Sequence, residues 1–202
     1  MFVAHRCENR DKCPQRVWTM GLRGRNLRPV MRSPDCCEVK RPQVSPNGRT
    51  IVFAAEKDAF VDGVRGNRKT LFTVRMNGTH LRRILPFRFD VCVCGGDWAP
   101  NGKRIVSSDQ AGPTAVPGKA SNLFTVRPDG SGVRFLTHSR NTDAAIAVGS
   151  YSPNGHWIAY KRITAKGTYR LLRIHPWGGD PRLIATLPAD FVGRAWGPRP
   201  RS

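Results

Sequence analysis

The 202-residue chain lacks any run of about 18 apolar residues, which excludes a helical membrane span. It also lacks a secretory leader pattern. After Met1, Phe2, Val3 and Ala4 come His5, Arg6, Glu8, Arg10, Asp11 and Lys12, too charged for an apolar leader core. As written, the sequence is expected in the cytoplasm, or in an exported or periplasmic location if its true start lies upstream. No stretch carries the i, i+3, i+4, i+7 apolar spacing of an amphipathic helix with caps. There is no Gly-x-Ser-x-Gly nucleophile elbow, no P-loop, no dinucleotide fingerprint and no His-Glu-x-x-His pair. The 5 histidines are scattered. These absences argue against an enzyme, and no cofactor or metal is expected. Acidic residues are scarce as well: Asp+Glu 14 against Lys+Arg 34 leaves a net charge of +20. Such a field attracts polyanions, whether nucleic acid or acidic polysaccharide.

What the chain has in abundance is turn chemistry, Gly 20 and Pro 16, and it is periodic. Gly24, Gly78, Gly130 and Gly178 each sit in a strand–turn–strand frame, 54, 52 and 48 residues apart. A second marker is interleaved with the first. Val44-Ser45-Pro46-Asn47-Gly48, Trp98-Ala99-Pro100-Asn101-Gly102 and Tyr151-Ser152-Pro153-Asn154-Gly155 follow at intervals of 54 and 53. Trp196-Gly197-Pro198 keeps the start of a fourth copy. Asn-Gly and Asp-Gly are hairpin signals because both turn residues must tolerate positive φ. Proline fixes φ and removes a ladder donor, so Ser-Pro-Asn-Gly belongs in a corner. Each unit reads as four short strands, A to D, which fits one blade of a β-propeller.

The expected fold is therefore all-β: about four antiparallel blades over residues 1–38, 39–90, 91–143 and 144–190, with a closing strand at 191–198. Met1 to Arg6 reads as a strand B and Phe191 to Trp196 as a strand A. Three arrangements follow. The termini pair and close a four-blade ring, the chain is part of a larger propeller, or two chains share one ring.

Ser-Pro-Asn-Gly, an apolar strand, Leu123-Phe124-Thr125-Val126-Arg127-Pro128-Asp129-Gly130 and then Arg134-Phe135-Leu136-Thr137 resemble the TolB-like propeller repeat. The corner Asp of that repeat is Asn at 47, 101 and 154. The resemblance recurs in register over nearly the whole chain and implies a β-propeller. Family members include a periplasmic protein that works by protein–protein contacts, propeller domains attached to serine peptidases, and some polysaccharide-degrading enzymes. A shared fold does not choose among them. A non-catalytic scaffold for a protein or peptide is the favoured expectation. A polyanion-binding protein and the remnant of a peptidase or lyase propeller are the alternatives.

Four arginines, Arg28, Arg82, Arg134 and Arg182, occupy one position in all four repeats at the outer strand D. They make a candidate basic belt, although outer-edge charge also serves to prevent edge-to-edge aggregation. Cys36, Cys37, Cys92 and Cys94 fall in equivalent D-to-A connections and form a candidate thiol cluster. Unpaired thiols, disulfides and a tetrahedral zinc site all remain open, and the spacings are not the Cys-x-x-Cys of zinc sites. Cys7 and Cys13 share one B–C loop. Two Gly-containing B–C segments, 57–69 and 109–121, are expected to be long loops on one face, where partners bind. Trp98, Tyr151 and Trp196 are expected to pack between blades.

Overall fold

The computed structural model describes residues 2–6, 16–21, 23–32, 38–61, 64–92, 94–109, 121–139, 145–164 and 167–188. They form four antiparallel sheets, each strand beside its chain neighbour. Blade 1 is β1 (Phe2–Arg6), β2 (Arg16–Met20) and β3 (Arg28–Arg32). Blade 2 is β4 (Glu38–Val44), β5 (Thr50–Val61), β6 (Val64–Arg75) and β7 (Arg82–Arg83). Blade 3 is β8 (Asp97–Trp98), β9 (Ile105–Ser108), β10 (Leu123–Val126) and β11 (Arg134–Phe135). Blade 4 is β12 (Ala145–Tyr151), β13 (Ile158–Ile163), β14 (Tyr169–Ile174) and β15 (Arg182–Leu187). Among the described residues the one helical element is a short 3-10 turn at Phe87–Phe89.

The A–B corners show why the Ser-Pro-Asn-Gly signature recurs. Asn47 Oδ1 accepts from Ser45 Oγ at 2.8 Å and from Arg49 N at 3.1 Å, while Ser45 Oγ accepts from Thr50 N at 3.0 Å. In blade 4, Asn154 Oδ1 takes Ser152 Oγ at 2.7 Å and His156 N at 3.1 Å. The corner thus satisfies backbone donors that the strand ladder cannot reach. His156 lies in this corner, before β13.

Strand alternation puts apolar side chains on both faces of each blade. Along β5, Ile51, Phe53 and Ala55 join Val17, Met31 and Val39 in a core between blades 1 and 2. Val52 and Ala54 point the other way, into a core with Ile105, Phe124 and Trp98 between blades 2 and 3. A third core holds Val106, Leu123, Ile158, Tyr160 and Ile174 between blades 3 and 4. Burying a side chain of this size contributes about 1.5–3 kcal/mol, so each blade depends on its neighbours. As expected, Trp98 and Tyr151 are buried in these seams, and Trp98 Nε1 donates to Gln43 O of the preceding blade at 3.2 Å. Trp196 lies outside the described residues, as does the 191–198 closing strand.

The first strands of blades 2, 3 and 4 are mutual neighbours: β4 meets β8 and β8 meets β12. β1 touches β4 as β9 touches β12, which puts β1 in the second-strand place of its blade.

One expectation fails. Residues 57–69 are not a loop. β5 and β6 pair continuously from Thr50↔Arg75 to Val61↔Val64. The polar side chains there hide the strands from an apolar-run reading, yet Asp62-Gly63 between them is itself a hairpin signal.

Candidate functional site

The C–D hairpins place the belt. Arg28, Arg82, Arg134 and Arg182 are each the first residue of the outermost strand of their blade. Three of them pair with a threonine of strand C: Thr19↔Arg28, Thr73↔Arg82 and Thr125↔Arg134. The fourth faces Arg173. All four side chains are exposed, so the sequence equivalence becomes a spatial one along the outer rim.

The thiol residues are not described as one cluster. Cys92 and Cys94 are bonded to each other as a disulfide, and Cys94 N lies 3.2 Å from Cys92 Sγ. Cys36, Cys37, Cys7 and Cys13 lie outside the described residues. No group of three or more His, Cys, Asp or Glu side chains is placed to hold a metal among the described residues. Asp109 has a structural place: its carboxylate accepts from Asn122 N, and Ser121 Oγ donates to its carbonyl at 2.7 Å, which ties the two ends of 109–121 together. Residues 110–120 themselves lie outside the described residues.

The arrangement best suited to holding a ligand lies between blades 3 and 4. A groove of about 710 Å³ runs from the outer strand β11 to the β14–β15 turn. Its walls carry Arg134, His138, Arg162, Trp177 and Asp180. Arg134 and His138 are exposed, whereas Arg162 is half-buried and its Nε is cut off from water with no hydrogen-bond partner among the described residues. Two places earlier on the same strand, and so on the same face, burial pushes the Tyr160 hydroxyl up to about 12, against the opposing pull of the Arg162 charge. At the rim, Trp177 is 58% exposed and held by stacking. Its ring lies 4.5 Å from His175 at an interplanar angle of 9°. His175 lies 3.8 Å from Trp157, over which the Arg173 guanidinium sits at 4.3 Å. A fixed aromatic rim beside a half-buried guanidinium suits a ligand that offers both an anion and an apolar surface.

Sequence reading missed this groove. The available signal was a departure from the repeat. Asn77 and Asp129 close their C–D turns by accepting from Thr79 N at 3.1 Å and Ser131 N at 2.8 Å. Blade 4 has Trp177 in that place, where such capping is impossible.

Comparison with known proteins decides the fold. TolB from Acinetobacter baumannii superposes over 91% of this chain with a TM-score of 0.66 at 14% identity. An oligogalacturonate lyase in complex with manganese matches over 86% with a TM-score of 0.65 at 11% identity. The β-propeller domain of the Trilobed protease from Pyrococcus furiosus, described as having an open velcro topology, matches over 75% with a TM-score of 0.52 at 11% identity. The chain has the TolB-like β-propeller fold. It spans 40%, 48% and 42% of those three structures. No family model and no curated protein matches the sequence. Likeness at such identities concerns the propeller itself and assigns no chemistry.

Proposed function

We propose that this TolB-like propeller is a non-catalytic interaction module that binds an acidic, partly apolar segment of a protein or peptide in the groove between blades 3 and 4. The observation that carries the reading is Arg162: a half-buried cation whose Nε has no partner among the described residues, in the wall of a groove of about 710 Å³ that also holds Arg134. A carboxylate in the groove would pair with the part of the Arg162 guanidinium that remains open to it, and charge-assisted hydrogen bonds of this kind are worth about 1.5–3 kcal/mol. Asp180 at the same wall disfavours an unbroken polyanion and suits a ligand with separate charges. The test is fluorescence anisotropy with a fluorescein-labelled peptide in which glutamates flank a leucine. Saturable binding that weakens about tenfold or more in Arg162→Gln supports the reading. Absence of saturation, or an unchanged Kd in the variant, overturns it.

A second reading rests on the belt. Four exposed arginines at equivalent outer positions would track a nucleic acid or an acidic polysaccharide along the rim. Binding of that kind falls steeply with salt, and each arginine removed lowers the slope of log K against log salt by about 1. Arg28→Gln and Arg82→Gln, neither of which lines the groove, separate the two readings. They change the salt slope for heparin or an oligonucleotide and leave the peptide Kd unchanged.

A further inference from the structure

The blades of this chain meet through one recurring joint, and the chain makes it three times. In blades 2, 3 and 4 the glycine of the C–D turn lies against the main-chain carbonyl of the residue two places after the belt arginine of the preceding blade. A methyl group built on Gly78 would overlap Val30 O, and one built on Gly130 would overlap Ile84 O. At Gly178 the same carbon would lie 3.6 Å from Leu136 O, an ordinary contact, so this copy of the joint is looser. The side chains of those carbonyl residues are covered by the incoming blade: Ile84 is 6% and Leu136 3% exposed. Val30 is partly buried against the core between blades 1 and 2.

Among the described residues the fourth copy of the joint is unmade. Gly24 stands in the same turn position of blade 1 with φ +74, and among the described residues nothing lies within 4 Å of a carbon built on it. Its would-be partner is Ile184, third in β15, which is 47% exposed beside Leu183 at 57%. The Gly24 hairpin borders a cavity of about 610 Å³ lined in part by Leu27, itself 58% exposed. One chain therefore presents the carbonyl half of the joint on blade 4 and the glycine half on blade 1.

We propose that the occupant of this open joint is a second copy of the chain, with blade 1 of one protomer packed on blade 4 of its partner. The two halves differ, so the contact is head-to-tail. Two copies related by a twofold axis would make the joint twice and bury both exposed edges. The internal joints supply the template for the geometry, and the apolar residues at the open ends supply the driving force. The charge of +20 on each chain opposes association at low salt, so the dimer is favoured as salt rises. This trend is the reverse of the one expected for polyanion binding.

The experiment is light scattering of the full chain from micromolar to high-micromolar concentration at moderate salt. The expected result is a concentration-dependent rise from 22.5 kDa to twice that mass. Gly24→Asn is the decisive variant. Asparagine tolerates positive φ and finds open space in the free chain, but its β-carbon would strike the Ile184 carbonyl in a joint packed as tightly as those of Gly78 and Gly130. Gly24→Asn and Ile184→Arg should each hold the chain at 22.5 kDa with an unchanged melting temperature at low concentration, whereas Leu81→Arg, an exposed apolar site away from the joint, should still dimerise. A monomer at every concentration and salt overturns the proposal. So does a dimer indifferent to both joint variants. Loss of folding in Gly24→Asn also overturns it, because that would mean the glycine is already packed within one chain.

Discussion

Asp97 on the inner strand of blade 3 reaches across the seam to Ser150 on the inner strand of blade 4. Its Oδ2 accepts from Ser150 Oγ at 3.0 Å and from Tyr151 N at 3.1 Å. These bonds join two blades where each has only its first strand to offer, and they satisfy a backbone donor at a strand end. Asp97→Ala removes the acceptor for both donors and should cost about 1–3 kcal/mol, read as a lower urea midpoint with an unchanged m-value. Asp97→Asn keeps an acceptor oxygen and should cost less.

Gly130 tests the joint within the chain. Its φ is +87 and a β-carbon would overlap Ile84 O, so Gly130→Ala meets both backbone strain and a clash. The expected loss is about 2 kcal/mol or more, measurable by urea denaturation. Gly48 also has positive φ, +71, but open space around it. Gly48→Ala should therefore cost less than Gly130→Ala, with strain as its sole penalty.

Two buried tyrosines should make stability fall at alkaline pH. Burial pushes Tyr151 and Tyr160 up to about 12 from an ordinary value near 10. A raised folded value means that the unfolded chain loses these protons first. The stabilisation is complete below the unfolded value and declines as pH rises through the window between about 10 and about 12. The loss by about pH 11 should be roughly 1 kcal/mol per tyrosine. The Tyr151 hydroxyl has no hydrogen-bond partner among the described residues. Tyr151→Phe should consequently be neutral or slightly stabilising near neutral pH and should flatten the alkaline limb.

Asp129 gives the opposite sign on a small scale. Hydrogen bonds from the Ser131 backbone and side chain, with Arg127 and Arg82 nearby, hold its carboxyl below the usual value. Its contribution to the turn is present above the unfolded value and is lost as pH falls through the folded one. An NMR titration should find Asp129 below an ordinary aspartate, and Ser131→Ala should move it back up.

Much of the architecture was legible in the sequence because turn chemistry punctuates each blade. Ser-Pro-Asn-Gly marks the corner through the side-chain bonds of Asn47 and Asn154, and the glycines at 24, 78, 130 and 178 mark the outer hairpins. The belt arginines were legible for the same reason, since a repeat in register is a repeat in space. The hairpin over β5 and β6 was hidden because its outer half is polar, so apolar runs stop before the strands do. Arg162 was hidden more deeply. Nothing in Ile158–Ile163 tells which face meets blade 3 until the register of β12, β13 and β14 is known. Trp177 was legible only as an exception, a large ring where the turns of blades 2 and 3 carry the small capping side chains of Asn77 and Asp129.

The most direct test of the account is hydrogen exchange, read by mass spectrometry, on the chain with and without the saturating glutamate–leucine peptide. The account predicts new protection confined to residues 134–139, to β13 and to the 177–181 turn. Protection spread over β3, β7, β11 and β15 alike, or no protection at all, would contradict it.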